Sequence, residues 1–298
     1  MATPIPELIG SPLPAISVIL PVLNEESHLE GAVLSVLSQD YRGPLEIILA
    51  LGPSRDRTNE IATKLASHDN RVKLLDSPTG KTAAGLNLAL AASTSPVIVR
   101  VDGHAQIPKD YISLIVEILN KTGAVNVGGV MAAVGTTAFE RAVAGAMRSP
   151  LGVGASRFHT GGEAGEVDTV YLGAFRREAL VAIGGFDERF TRAQDWELNF
   201  RLRENGGVIY FDPRLHVTYR PRSSVGALAK QYFEYGRWRR VVSRRHSGTI
   251  NYRYLAPPFA LLGFNASLVL GIALSSIFFF PALVYLLFVV LASLKIST

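Results

Sequence analysis

Cysteine is absent from the 298 residues. That excludes disulfides, thiolate metal sites and cysteine nucleophiles, and it fits a reducing compartment. Charge is scarce: 18% of the chain is charged against 48% hydrophobic, which leaves ample material for a sizeable core. The opening stretch MATPIPELIGSPLPAISVIL lacks the basic start of a secretory signal, and Pro and Gly break it before the apolar run. A Gly-rich phosphate loop with Arg and Lys near the N-terminus, which a nucleotidyltransferase would want, is missing; LPVLNEESHLEG stands there instead. Internal repeats and low-complexity tracts are also lacking.

Two further shortages are local. Acid nearly vanishes from residues 214–253, where ten Lys or Arg face Glu234 alone, a net of +9 in a chain whose total is +5. Charge then vanishes altogether from residues 254–294. So long an uncharged, mostly apolar run exceeds a soluble core helix and predicts two membrane spans of about 17–20 residues each. Ser275, Ser276 and Pro281 are the candidate turn. One span plus a re-entrant piece is the alternative, because Pro257, Pro258, Gly263 and Pro281 interrupt the run. Basic residues before the first span and Lys295 after the second place both ends, and the preceding globular part, on the cytoplasmic face of the plasma (inner) membrane.

What is present elsewhere alternates. Residues 1–14 are a Pro-rich arm. From Ala15, strand-like runs (AISVILPV, LEIILAL, VKLLD, PVIVRV) alternate with helix-like runs (25–39, 58–67, TAAGLNLALAA, 108–120), and a strand is expected over 125–130. Such alternation argues for an α/β fold with a mostly parallel sheet and helices on both faces. Residues 149–166 hold five glycines and read as a mobile loop. VDTVYLGAF reads as a strand, GGFDERFTRA as a loop and QDWELNFRLREN as a helix, in which Trp196 and Phe200 are available for packing. GVIYF and LHVTY read as two short strands joined near Asp212 and Pro213. Residues 224–245 read as a basic amphipathic helix. The expected division is 1–14 arm, 15–222 globular domain, 223–253 interfacial helix and 254–295 membrane region.

The apolar strand in SPVIVRVDGHA, interrupted only by Arg100, ends at Asp102-Gly103-His104. Ligands bind beyond the carboxyl ends of strands in open α/β sheets. A carboxylate and an imidazole there suggest a metal site; the alternative is that Asp102 caps a local turn or the next helix.

LPVLNEE, GPSRDRT, GKTAAGLNLAL, VDGHA, VYLGAFRREAL, GGFDE and QDWELNFRLRENGG occur in one order between residues 20 and 207. Together they resemble the family 2 inverting glycosyltransferases, especially the membrane-attached bacterial enzymes of the succinoglycan-biosynthesis type, over roughly residues 15–245. The resemblance implies a Rossmann-like GT-A fold. It implies that Asp102 and His104 occupy the Asp-x-Asp position, holding Mg²⁺ or Mn²⁺ against a nucleotide diphosphate. His104 departs from the second Asp and leaves the metal's identity open. It implies nucleotide-sugar contacts from Pro21, Asn24, Glu25, Asp56, Lys81 and Asp102. Asn24 can also cap the following helix, Asp56 can cap helix 58–67, and Lys81 can be a solvated helix-start residue. Relatives carry an acid for the uracil edge where Leu51 stands; leucine cannot accept from a base N–H.

Asp195 is the candidate general base, because an inverting transfer needs a positioned carboxylate to take the acceptor's proton. Gln194 replaces the usual preceding acid, and Glu197 reads as structural. Gly173, Gly185 and Trp196 are placed on the acceptor side. His216, Arg237 and Trp238 are candidates for phosphate contact. QYFEYGRWRR partly resembles the Gln-x-x-Arg-Trp element of processive synthases, with different spacing. Its other reading is an interfacial helix on anionic lipid; nucleic acid is not expected as a partner. The expected function is sugar transfer from a nucleotide-diphosphate donor to a lipid-linked or glycan acceptor at the cytoplasmic membrane face. A non-catalytic membrane scaffold of the same fold is the rival, along with a nucleotidyltransferase.

Overall fold

A computed structural model describes residues 13–154, 156–249 and 252–297; most of the expected 1–14 arm lies outside the described residues. The chain divides into two compact units, residues 1–134 with 157–220, and residues 135–156 with 221–298.

The first unit is built on an eight-stranded sheet of order β3-β2-β1-β4-β7-β5-β8-β6. The first half alternates as expected: β1 (Ile16–Val22), α1 (Leu29–Leu37), β2 (Leu45–Leu51), α2 (Thr58–His68), β3 (Val72–Asp76), α3 (Thr82–Ala92), β4 (Val97–Arg100) and α4 (Tyr111–Thr122). β3, β2, β1 and β4 run parallel. Their near-continuous apolar sequences follow from burial on both faces. Ile16, Val18, Leu20 and Val22 of β1 pack with α1 and α4 on one face. Ile19 packs on the other with Leu86, Leu198 and Phe175. β5 (Asn126–Ala133) follows, running three residues beyond the expected end.

The later elements are less regular. α5 (Ala138–Arg148), in the second unit, was not anticipated; its N-terminus is a capping box in which Thr137 and Glu140 satisfy each other's backbone N–H. The glycine-rich stretch 149–166 is not loop throughout. It carries two one-turn helices, α6 (Pro150–Val153) and α7 (Arg157–Thr160), and the short strand β6 (Gly165–Glu166). β7 (Tyr171–Arg176) is antiparallel between β4 and β5. It is followed by α8 (Arg177–Ala182) and α9 (Gln194–Glu204). The two strands expected around Pro213 are one strand, β8 (Ile209–Tyr219), whose register against β5 shifts between Gly128 and Val130. The shift absorbs the proline, and the Asp212 carboxylate accepts the Arg214 N–H at 3.0 Å, so no ladder bond is needed there.

In the second unit, α10 (Val225–Arg245) is a basic helix with Phe233 71% exposed. α11 (Tyr252–Ala273) and α12 (Phe280–Ser297) follow, joined through a 3₁₀ turn at Ser276–Phe279. Leu255–Ala273 and Ser276–Ile296 have mean hydropathies of 1.7 and 2.6 and are almost wholly unburied by protein. Nineteen and twenty-one residues rise about 28 and 31 Å, the thickness of a bilayer's hydrocarbon core. Both thus have the length and composition of membrane spans. The Ser267 hydroxyl ties them by donating to the Phe278 carbonyl and accepting from the Ala282 N–H.

Candidate active site

The residues singled out between 21 and 104 gather at the carboxyl ends of β1, β2, β3 and β4. β4 pairing stops at Ile19, so Pro21's missing N–H costs no bond to that strand. The turn after β1 is zipped to the turn after β2. Asn24, at φ 55, donates its backbone N–H to Ser54 Oγ and accepts the Arg55 N–H on its side-chain oxygen at 2.8 Å. It therefore holds a neighbouring loop and does not cap α1, which begins five residues later. The Glu25 N–H reaches the buried Thr58 hydroxyl at 2.7 Å. Asp56 accepts from Thr58 at its N–H and hydroxyl, and from the Glu26 N–H. Those bonds, Thr58's first, hold its carboxyl below the usual range; Asp56 thereby holds the first residue of α2 and secures the zipper. Lys81 stands exposed at the start of α3, after Gly80 at φ +60.

Beyond β4, the Glu25 side chain lies over Gly103, where an added Cβ would approach it to 3.0 Å. From there Glu25 Oε1 bonds His104 Nδ1 at 2.8 Å. Asp102 is held by Arg100: Nε and Nη2 each lie 3.0 Å from Oδ1. Arg100 Nη1 bonds Asp195 Oδ1 in the first turn of α9. The Arg100 side chain is 4% exposed, and the Asp102 and Asp195 side chains retain 19% and 30%. One buried cation therefore joins the strand-end carboxylate to the helix-start carboxylate. The sequence reading passed over Arg100 as an interruption. Its signal was there: a lone charge in a β-branched strand needs a partner.

The electrostatics follow. Burial alone would lower the Arg100 pKa, but Asp102 and Asp195 more than reverse it. Burial raises the Asp195 pKa and Asp102 adds to the rise, against the pull of Arg100. Asp195 is thus more basic than a free aspartate. Tyr171 sits beside the group, its hydroxyl pushed well above the ordinary value by burial first and by Asp102 next.

α9 is aimed by several restraints. Ala193 precedes Asp195 at φ 59. Glu197, 1% exposed, makes a two-pronged pair with Arg201, and Arg201 also donates to the carbonyls of Ile183 and Gly185. Asn199 links to Asn126 of β5 at 2.6 Å and to Thr169. Trp196 stacks on Phe200, centroids 5.5 Å apart. Gly185, at φ 70, has no room for a side chain because Asn87 Oδ1 would lie 2.6 Å away; Gly173, at φ 95, is likewise filled by Phe175 and Asn126. His216 sits on β8, three strands from β4, bonding the Arg214 carbonyl. Arg237 and Trp238 belong to α10 in the second unit, where Arg237 pairs with Glu234 at 3.5 Å.

The described residues contain no cluster of three or more metal-capable side chains. Asp102 keeps Oδ2 beyond its bonds to Arg100, and His104, two residues on, bonds Glu25 through Nδ1. One carboxylate and one imidazole suit a divalent ion whose remaining ligands are phosphate and water, so the donor set fits a substrate-completed site.

Residues 17–184 match the family described as Glycosyl transferase family 2. The succinoglycan biosynthesis protein ExoA of Rhizobium meliloti (strain 1021) is 35% identical over 242 residues, 80% of this chain and 73% of that protein. Among solved structures, S. aureus TarS residues 1–349 in complex with UDP-GlcNAc matches with a TM-score of 0.56 at 19% identity, covering 70% of this chain and 59% of that one. The mannosyltransferase PcManGT from Pyrobaculum calidifontis in complex with GDP-Man and Mn²⁺ also gives 0.56, at 21% identity, covering 76% and 60%. The fold shared with these structures is GT-A.

Proposed function

The chain belongs to glycosyltransferase family 2, and from that premise we propose that it is an inverting, nucleotide-sugar-dependent enzyme anchored at the cytoplasmic face of a membrane. The observation that carries the reading is the bridge Asp102–Arg100–Asp195. It keeps a diphosphate-side carboxylate and a second carboxylate of raised basicity on two sides of one fixed group. In the transfer, the acceptor oxygen bonds to the anomeric carbon as the bond to the donor's diphosphate breaks on the opposite face. The acceptor's proton passes to Asp195. A positioned base contributes a factor of about 10²–10⁴. A divalent cation at Asp102 and His104 would stabilise charge on the leaving diphosphate. Asn24, Glu25, Asp56 and Lys81 border the donor's place. α11 and α12 suit a lipid-linked or membrane-associated glycan acceptor, and α10 suits an anionic headgroup layer.

The test is Asp195→Asn, isosteric but unable to take a proton. Donor affinity should stay close to wild type while the transfer rate falls about 10²–10⁴-fold. Transfer at close to the wild-type rate would refute the assignment and favour a scaffold that merely retains the fold.

A further inference from the structure

The strand that would read a base ends in leucine, and its neighbour supplies what leucine lacks. Leu51 on β2 is in register with Asp76 on β3, each the last residue of its strand. Strand partners in register project to the same face. Asp76 is exposed; no hydrogen bond or ion pair engages its carboxylate among the described residues.

The turns beyond the two strands are packed tightly together. An added Cβ at Gly52 would meet the Gly80 Cα and the Leu23 side chain, each at 3.0 Å; one at Gly80 would meet Pro53 at 3.1 Å. Ser77, next to Asp76, donates its N–H to the Leu51 carbonyl at 2.8 Å. Asp76 therefore stands on a fixed support. Leu23 lies against both glycines and keeps 39% exposure, an apolar surface on which a flat ring can rest.

The sheet order sets the scale. Asp76 and Asp102 end strands three steps apart in β3-β2-β1-β4, a separation of about 14 Å at ordinary strand spacing. That is the length scale of a nucleotide with its base at one end and its second phosphate at the other.

We propose that Asp76 reads the donor's base, its carboxylate accepting the ring N–H of a keto base: N3–H of uracil or N1–H of guanine. Adenine and cytosine present a lone pair at the corresponding ring nitrogen and are repelled by the carboxylate. The inference rests on the nucleotide-sugar reading above and adds the class of base.

The experiment measures binding of UDP, GDP, ADP and CDP, and of inorganic pyrophosphate, to the full-length chain in detergent with Mn²⁺. Wild type should take UDP or GDP at least tenfold more tightly than ADP and CDP; the UDP and GDP arms distinguish the two keto bases. Asp76→Ala should weaken the preferred nucleotide about tenfold to hundredfold, the worth of a hydrogen bond to a charged group. It should also erase discrimination while leaving pyrophosphate affinity and the unfolding temperature unchanged. Asp76→Asn should relax selectivity toward CDP, since an amide N–H can donate where the carboxylate could not. Full discrimination in Asp76→Ala overturns the proposal and leaves the donor reading standing. A folded wild type that binds none of the four nucleotides overturns the donor reading itself, and this proposal with it.

Discussion

Replacing Arg100 with Met keeps an unbranched chain of similar length and deletes the charge that Asp102 and Asp195 share. Breaking a buried pair by removing one partner costs about 3–5 kcal/mol. The lower end applies, because the stranded carboxylates retain 19% and 30% exposure and recover water. A loss of ~3 kcal/mol lowers the unfolding temperature by about 6–12 °C for a unit of roughly 200 residues.

A second consequence separates this account from simple destabilisation. A divalent ion held by Asp102 would share that carboxylate with the Arg100 guanidinium and be repelled by it, by ~1–2 kcal/mol even at the dielectric of water. Arg100→Met should therefore bind Mn²⁺ about tenfold or more tightly while transferring sugar more slowly, because Asp195 is no longer held. Arg100→Lys keeps the charge without the planar fork. It should leave Mn²⁺ affinity near wild type and still slow transfer. Thermal unfolding, Mn²⁺ titration and initial rates of the three proteins decide the matter. Unchanged unfolding in Arg100→Met, or weaker Mn²⁺ binding, would refute the reasoning.

At the metal position, Asp102→Ala should abolish metal-dependent donor binding. His104→Asp should keep activity and move the preference from Mn²⁺ toward Mg²⁺; full activity of Asp102→Ala in chelator would remove the metal from the scheme. His159 supplies the pH dependence. Burial lowers its pKa from 6.5 to about 4, so between those values the unfolded chain binds more protons and stability rises with pH. The contribution is complete above pH 6.5 and is lost as the pH falls toward 4, ~3 kcal/mol in all. About two thirds of it, ~2 kcal/mol, falls between pH 7.5 and 5, so unfolding midpoints there should differ accordingly and His159→Phe should flatten the difference; an unaltered slope would place the titrating group elsewhere.

The four parallel strands were legible because burial on both faces leaves continuous β-branched runs. Their helices were legible from apolar spacing, with boundaries that tertiary bonds then moved. α1 starts at Leu29 because Asn24 is committed to the Arg55 N–H and the backbone from Glu25 to His28 is spent on a turn. β8 runs through Pro213 because a side chain replaced a ladder bond, which no alternation pattern reports. α5 was missed although Thr137 and Glu140 spell a capping box in the sequence. The positions of Asp102 and Asp195 could be read from a strand end and a helix start. The cation that joins them announced itself as a lone charge in an apolar strand, but its partner in α9 did not, since that bond spans 95 residues and spacing carries no trace of it.

The three non-glycine residues with positive φ among those described are Asn24, Leu172 and Ala193, and each adjoins the site. Asn24 stands in the turn after β1, Leu172 follows Tyr171, and Ala193 stands two residues before Asp195. Left-handed backbone costs an L-residue about 1–2 kcal/mol, and such strain persists only where surroundings over-determine it. At Ala193 the surroundings are the grip on α9: Arg201 on the Ile183 and Gly185 carbonyls, and Asn199 on Asn126. Ala193→Gly should relieve the strain at φ 59 and, after the entropy a glycine adds to the unfolded chain, change stability by less than about 1 kcal/mol. Its effect on chemistry should be larger. A glycine lets the start of α9 sample other conformations, and a base misplaced by even an ångström can cost about 10²-fold in rate. The expected result is a lower kcat with unchanged donor affinity and an unfolding temperature near wild type. Equal kcat in Ala193→Gly would show that the bond to Arg100 alone aims Asp195, and that the strained backbone before it serves only the turn.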